Sequence, residues 1–292
     1  MTEALAQFVV AGLKNGSIYA LVALGFTIVF ASTGAINFAQ GEFYMIGGML
    51  GVWFTTLGLP LPVAALLAIL ATGLLGAVFE VLAIRPLPDA NPLKIIIITI
   101  GGAVVMSQIF FHLFGPDERP LAAFTAGPSL RFLGAAIERQ TLWIWGLTAV
   151  SVAGLAFLYR KTAFGRAMRA TAIQREAARL VGVDVRFMVT AAFGLAAALG
   201  AVAGLAVAPL TQTAFNVGPS IGVKGFAAAI LGGLGSPIAA VGGGLILGVL
   251  ESLTAGYINP TYKDAVALVV LLLVLFLRPQ GLFGGSARKE KG

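Results

Sequence analysis

Long apolar runs separated by short polar connections dominate this chain. The runs lie at about 5 to 31, 42 to 58, 61 to 84, 94 to 114, 141 to 159, 187 to 209, 237 to 256 and 264 to 277. Most are long enough to cross a hydrocarbon core of roughly 30 Å as helices. The every-second-residue polar alternation of a membrane barrel is absent. The pattern predicts an all-α fold, a polytopic transmembrane helix bundle in a single domain, residues 1–292. The start, MTEALAQFVV, has no basic n-region and no small-residue cleavage site, so the first run is expected to be a retained span.

Charge orients the bundle. The 85–94 connection sets Arg85 and Lys94 against Asp89, 159–187 has seven basic residues against Glu176 and Asp184, and the tail beyond 277 has four against Glu290. The 115–140 loop is balanced, Arg119, Arg131 and Arg139 against Asp117, Glu118 and Glu138. The excess of basic residues assigns the first three to the cytoplasm and the fourth to the outside. Placing both 159–187 and the tail inside demands an even number of crossings between them, and only three runs are obvious. The segment "IGVKGFAAAILGGLGS", 221–236, short, glycine-ended and followed by Pro237, is therefore expected to be a ninth, short or partly re-entrant helix, with the N-terminus outside.

Within this frame "AINFAQGEFYMIGG", 35–48, stands out. Asn37, Gln40 and Glu42 crowd between two apolar runs, and Gly34 and Gly41 permit a broken helix there. Two readings are open: the carboxylate of Glu42 is favoured at a helix N-terminus by the dipole alone, or the three residues line a wet path, because polar groups facing lipid are expensive. Glycines also recur at four-residue spacing, at Gly12 and Gly16, Gly47 and Gly51, Gly200 and Gly204, and Gly244 and Gly248, which is the signature of close helix–helix contact. "GEFYMIGGMLGVW" loosely echoes "GSPIAAVGGGLILGVL", each a broken start followed by a glycine-rich span.

Composition supports the membrane assignment and removes other classes. Hydrophobic residues make up 59% and charged residues 11%, with a mean hydropathy of +0.96, far from globular averages. The net charge of +7 is carried beside apolar spans, so it reads as orientation and contact with membrane lipid, and no nucleic-acid partner is expected. The chain has no cysteine and one histidine, which leaves no thiolate chemistry and no histidine metal site. His112 beside Phe111 and Phe114 reads as an interfacial imidazole without a serine partner. No G-x-x-x-x-G-K-[ST] phosphate loop, HExxH or GxSxG occurs, so no cofactor and no enzymatic activity are expected. An ion-coupled transporter would need intramembrane acids; Glu42, Glu80 and Glu251 are the candidates, all near span ends.

The basic segment 159–187 places Ile173, Ala177, Leu180 and Val181 on one helical face, with Arg175 and Arg179 opposite. It reads either as a lipid-skimming amphipathic helix or as a docking helix for a partner protein.

"REAARLVGVDV", 175–185, resembles the EAA-type coupling loop of ABC importer permeases, with Glu176, Ala177, Ala178 and Gly182 matching its pattern and Arg175 just before it. "INFAQGEFYMIGG" and "GFAAAILGGLGSPIAAVGGGLILGVLES" are similar to hallmark segments of the branched-chain amino acid permeases of the LivH type, and the likeness runs over nearly the whole chain. The resemblance implies an importer in the cytoplasmic (inner) membrane of a bacterium. In it this chain pairs with a second homologous permease, two cytoplasmic ATPase subunits and an external solute-binding protein, and Arg175, Glu176, Ala177, Ala178 and Gly182 form the ATPase coupling element. The implied cargo is leucine, isoleucine or valine. Permeases for urea and short amides look similar, so that cargo class stays open.

Overall fold

The computed structural model describes residues 2–87, 91–132, 134–278 and 280–283; Asp89 and the charges of the tail beyond Phe283 lie outside them. In order the chain forms α1 (Thr2–Thr33), α2 (Gln40–Thr56), α3 (Leu61–Phe79) prolonged by a π-helical turn (Glu80–Ile84), and α4 (Pro92–Phe114). A small antiparallel hairpin follows, β1 (Leu130–Phe132) and β2 (Ala135–Ile137), and then α5 (Arg139–Lys161). Two short helices, α6 (Ala163–Ile173) and α7 (Arg175–Leu180), lead to α8 (Val185–Thr211), α9 (Gly218–Gly232), α10 (Pro237–Tyr257), a 3-10 turn (Pro260–Tyr262) and α11 (Lys263–Leu277).

Among the described residues seven helical segments are long and apolar enough to cross a membrane: those built on α1, α3, α4, α5, α8, α10 and α11. The other two expected spans are shorter. α2 has 17 residues and α9 has 15, and fifteen residues of helix rise only about 22 Å. The expected ninth helix is therefore present but starts at Gly218 rather than 221 and stops at Gly232, with Gly233 at φ 124° where the helix ends. Each short helix follows a non-helical stretch, 34–39 or 212–217, that carries the chain part of the way into the bundle.

Contacts sort the connections into two ends. At one end, Gln7 of α1 exchanges hydrogen bonds with Ala136 of β2 (3.2 and 2.8 Å), Lys14 lies 3.6 Å from Glu138, and Arg119 pairs through its backbone with Thr213 beyond α8. At the other, Arg175 donates to the Ser32 carbonyl at the end of α1, Arg85 donates to Thr190 of α8 (2.6 Å), and the Leu282 amide donates to the Leu231 carbonyl of α9 (2.8 Å). The three basic segments, as far as they are described, thus share one end, and the balanced loop takes the opposite one. Four helices, α8 to α11, run between 159–187 and the returning tail, which is the even number that the charges require.

α1 is the axis of the bundle. Its residues 16 to 29 are buried on every side, and the polar groups among them are satisfied internally: Ser17 and Thr27 donate to carbonyls of α1 itself and Tyr19 donates to Glu251. Two glycine seams close it up. Gly12 and Gly16 sit on Gly248 and Gly244 of α10: a Cβ on Gly12 would lie 2.6 Å from the Val249 Cα, and one on Gly16 would lie 2.8 Å from the Leu245 Cα. Gly47 of α2 faces Ala201 of α8, Gly51 faces Leu205, and Gly200 and Gly204 face Phe43 and Tyr44. The four pairs read from the sequence therefore meet two by two, α1 with α10 and α2 with α8. With little hydrophobic drive between helices in lipid, such close backbone contact supplies the packing. By contrast α3, α4, α5 and α11 turn Leu70, Leu74, Val104, Val150 and Leu272 outward, a surface suited to lipid or to another membrane helix.

Candidate functional site

The two breaks enter from opposite ends and meet inside. After α1, Gly34 adopts φ 71° and the chain turns back; Thr33 Oγ1 accepts the Ala35 amide (3.1 Å), and Thr99 Oγ1 of α4 accepts the Phe38 amide (3.1 Å). After α8, Gln212 takes φ 61°, the backbone pairs with Arg119, and Ser107 of α4 donates to the Phe215 carbonyl (2.8 Å). α4 thus holds both irregular stretches, which is how non-helical backbone is kept satisfied at depth. They converge where a Cβ on Gly41 would strike the Gly218 carbonyl and come within 3.0 Å of the Gly222 Cα.

Asn37, Gln40 and Glu42 all lie in the first break or the opening turn of α2, and all are buried, at 0, 0 and 2% exposure. Asn37 Oδ1 accepts the Ala39 amide (3.1 Å), and Gln40 Nε2 donates to the Ala196 carbonyl (2.8 Å). Ala196 is about three turns into α8, roughly 16 Å of rise, so the cluster sits deep in the bundle. Gln40 lies over Gly25 of α1, and a Cβ on Gly218 would fall 2.6 Å from Glu42 Oε2; both glycines make room for polar side chains.

What remains unpaired is informative. Asn37 Nδ2, Gln40 Oε1 and Glu42 Oε2 are buried with no hydrogen-bond partner among the described residues, and Trp145 Nε1 is the one other such atom. Leaving a buried donor or acceptor unmet costs about 1–3 kcal/mol. Three in one place are hard to attribute to packing. The helix-end explanation covers Glu42, which lies in the first turn of α2, but not Asn37 or Gln40. Glu42 also lines a cavity of about 320 Å³ with Phe38, Ser107, Gln108, Pro219 and Gly222. Ile100, Val104 and Val223, on its outer side, are exposed, so the cavity borders the flank of the bundle.

The other two intramembrane acids are engaged. Glu80 accepts from Thr190 and lies 3.4 Å from Arg85. Glu251 receives Lys224 Nζ (2.7 Å) and Tyr19 OH (2.6 Å). It lies in the last two turns of α10, near the span end as expected.

The 159–187 segment differs from its prediction. Instead of one continuous helix, it breaks at Gln174, whose φ of −155° ends α6 and starts α7. Ile173, Leu180 and Val181 are 86, 89 and 78% exposed, while Met168, Thr171 and Ala178 are buried. Ala178 and Met168 hold the segment to the bundle, and among the described residues no helix covers the side carrying Ile173 and Leu180. Arg175, expected on a polar face, is half-buried on the Ser32 carbonyl; burial and the neighbouring Arg179 lower its pKa from the usual guanidinium range. Glu176, Ala177 and Gly182 are exposed, and Gly182 has φ 85° at the turn into α8. Arg175→Ala, which removes the only tether from α7 to the end of α1 among the described hydrogen bonds, is expected to loosen α7 and speed hydrogen exchange of its amides while the bundle stays folded; unchanged exchange there would contradict it.

A polytopic bundle with two interior chain breaks and an unpaired polar cluster between them has the build of a membrane transport protein. Residues 8–275 match the family described as the permease component of the branched-chain amino acid transport system. The chain belongs to this permease family. It is 33% identical to the high-affinity branched-chain amino acid transport system permease protein LivH of Salmonella typhimurium, over 94% of this chain and 93% of the relative. It is 36% identical to BraD of Pseudomonas aeruginosa, a permease of the same description, over 95% of both. A probable LivH of Methanocaldococcus jannaschii is 27% identical over 93% of this chain and 90% of that protein.

Proposed function

We propose that this chain is one permease subunit of an ABC importer that carries branched-chain amino acids into a bacterial cell across the cytoplasmic membrane, and that Asn37, Gln40 and Glu42 border the path. The observation that carries this reading is the trio of buried, unpaired polar atoms at the chain break of a permease from this family. The exposed flank beside the Glu42 cavity receives the second, homologous permease, so that the path runs between the two. Cargo is captured outside by a solute-binding protein, and the path itself binds weakly.

The chain acts as a single transmembrane domain with 159–187 as its cytoplasmic coupling loop. Within the coupling element the exposed Glu176, Ala177 and Gly182 meet one of the two ATPase subunits, which hydrolyse the ATP, while Arg175 and the buried Ala178 fix the element to the bundle. Exposed Ile173, Leu180 and Val181 favour docking over lipid contact, because α7 also grips α1 and so can transmit a push. On this reading the basic end faces the cytoplasm. The chain has no native cysteine, so a Glu3→Cys variant should react with an impermeant thiol reagent in intact cells and an Arg179→Cys variant only after permeabilisation; the reverse pattern contradicts the orientation.

The reading is tested by reconstituting the permease pair and ATPases in vesicles with the binding protein, then measuring ATP hydrolysis against a panel of solutes. Leucine, isoleucine and valine should stimulate it. Stimulation by urea or short amides alone would assign a different cargo, and uptake driven by an ion gradient without ATP would reject the importer.

A further inference from the structure

A second polar recess lies at the hairpin end, away from the Glu42 cavity. It has a volume of about 460 Å³, and its floor is formed by Tyr19, Tyr44, Lys224 and Glu251. All four side chains are largely buried. Its rim carries Asn15, Asn216, Ser220 and Lys263. The floor is tightly knit: Lys224 Nζ lies 2.7 Å from both Glu251 Oε1 and Asp264 Oδ1, Tyr19 donates to Glu251 Oε2 (2.6 Å), and the ammonium stands 5.6 Å from the centre of the Tyr19 ring. The two lysines of the recess are balanced by Glu251 and Asp264, so it favours neither a simple cation nor a simple anion.

Lys224 bridges Glu251 and Asp264, and Lys263 stands outside that chain of pairs. The rim cation, Lys263, has no ion pair within 4 Å among the described residues. Beside it Ser220 stands in the first turn of α9, where free amides and the positive end of the helix favour an anion. Thr211, also on the lining, closes α8, whose last carbonyls form a negative end, and Glu251 keeps lone pairs beyond the two it uses. The ring face of Tyr44 adds a surface attractive to an ammonium. Ile18, Val207 and Ile221 supply an apolar part of the wall. Cavities of this size with an apolar wall and few convergent polar groups are typical of small-molecule sites.

We propose that this recess is a receiving site for the free cargo's zwitterionic head, its carboxylate held at Lys263, Ser220 and the start of α9 and its ammonium at Glu251, Tyr44 and the end of α8. The proposal rests on the reading of the chain as an amino acid permease and adds where such a molecule first meets it. It also gives the broken α8–α9 connection a use of its own: the break brings opposite helix ends to one small space.

The test uses the complete permease–ATPase complex in vesicles with an Asn216→Cys reporter on the exposed rim, the sole cysteine of this chain, labelled from the outside by an impermeant reagent. L-Leucine should slow the labelling by a factor 1 + [L]/Kd, about elevenfold at ten times Kd. Leucinamide, which lacks the carboxylate, and 4-methylpentanoate, which lacks the ammonium, should not. Glu251→Gln or Lys263→Met added to the reporter should remove the protection; the unliganded labelling rate of each checks that the recess is intact. No protection by leucine, or equal protection by either half-molecule, overturns the proposal and leaves the floor a structural strut. Leucine-stimulated ATP hydrolysis with the binding protein, measured on the same vesicles, reports the permease reading separately: its loss with protection retained faults that reading, and its presence without protection faults only the site.

Discussion

Gly248→Leu is expected to leave little folded chain in the membrane. A Cβ at this position would fall onto the backbone of Gly16 and within 2.5 Å of the Gly12 carbonyl. Ordinary overpacking of a core costs typically about 1–3 kcal/mol because side chains can shift. Here the obstacle is main chain of the central helix, so relief requires α1 and α10 to separate along the whole seam. The matched control is Gly146→Leu on α5, where nothing lies within 4 Å. Membrane accumulation and elution as a single species in detergent should be lost for the first and kept for the second. Parental behaviour of Gly248→Leu would show that the seam is not where this bundle is held.

The second large effect concerns the exposed side of α6 and α7. Ile173→Asp with Leu180→Asp should abolish ATP-driven uptake while the permease still assembles in the membrane. Well-packed interface anchors contribute about 2 kcal/mol or more each, roughly thirtyfold in affinity. Both side chains are largely exposed, so little packing is lost and folding is expected to be spared. Ala178 is a poorer probe: it is 2% exposed, and a larger residue there dislodges α7 from within. Gly182 likewise is constrained by its φ of 85°. If the double variant binds the ATPases and transports normally, the segment is a lipid-skimming element and the docking reading fails.

Helix positions were readable because lipid demands long apolar runs, and seven such runs became helices that meet the length requirement. The glycine pairs were also legible, since four-residue spacing is a one-helix property; which pair faces which was not, because α1 and α10 lie more than two hundred residues apart. The polar trio was found by its contrast with its surroundings. Its supports, Gly25, Thr99, Ser107 and Gly218, carry no local signal and acquire meaning only where α1, α4 and α9 cross. Lys224 sits in a glycine-rich run that gives no sign of its partner, yet it pairs with Glu251 across 27 residues of sequence. The apolar positions of 159–187 were identified correctly, but periodicity alone cannot say whether such a face is buried by its own chain. Gln174 breaks the helix, and the face points outward.

The central claim is that cargo passes the break carrying Asn37, Gln40 and Glu42. The most direct measurement is the initial rate of leucine uptake into vesicles by complexes in which Gln40 is replaced by leucine, normalised to assembled complex and compared with Asn37→Leu and the parent. Removing an amide whose oxygen has no protein partner should slow uptake about tenfold or more, the equivalent of about 1.4 kcal/mol in the barrier, with assembly retained. Parental uptake rates for Gln40→Leu, Asn37→Leu and Glu42→Gln alike, in fully assembled complexes, would contradict the claim and make the cluster structural.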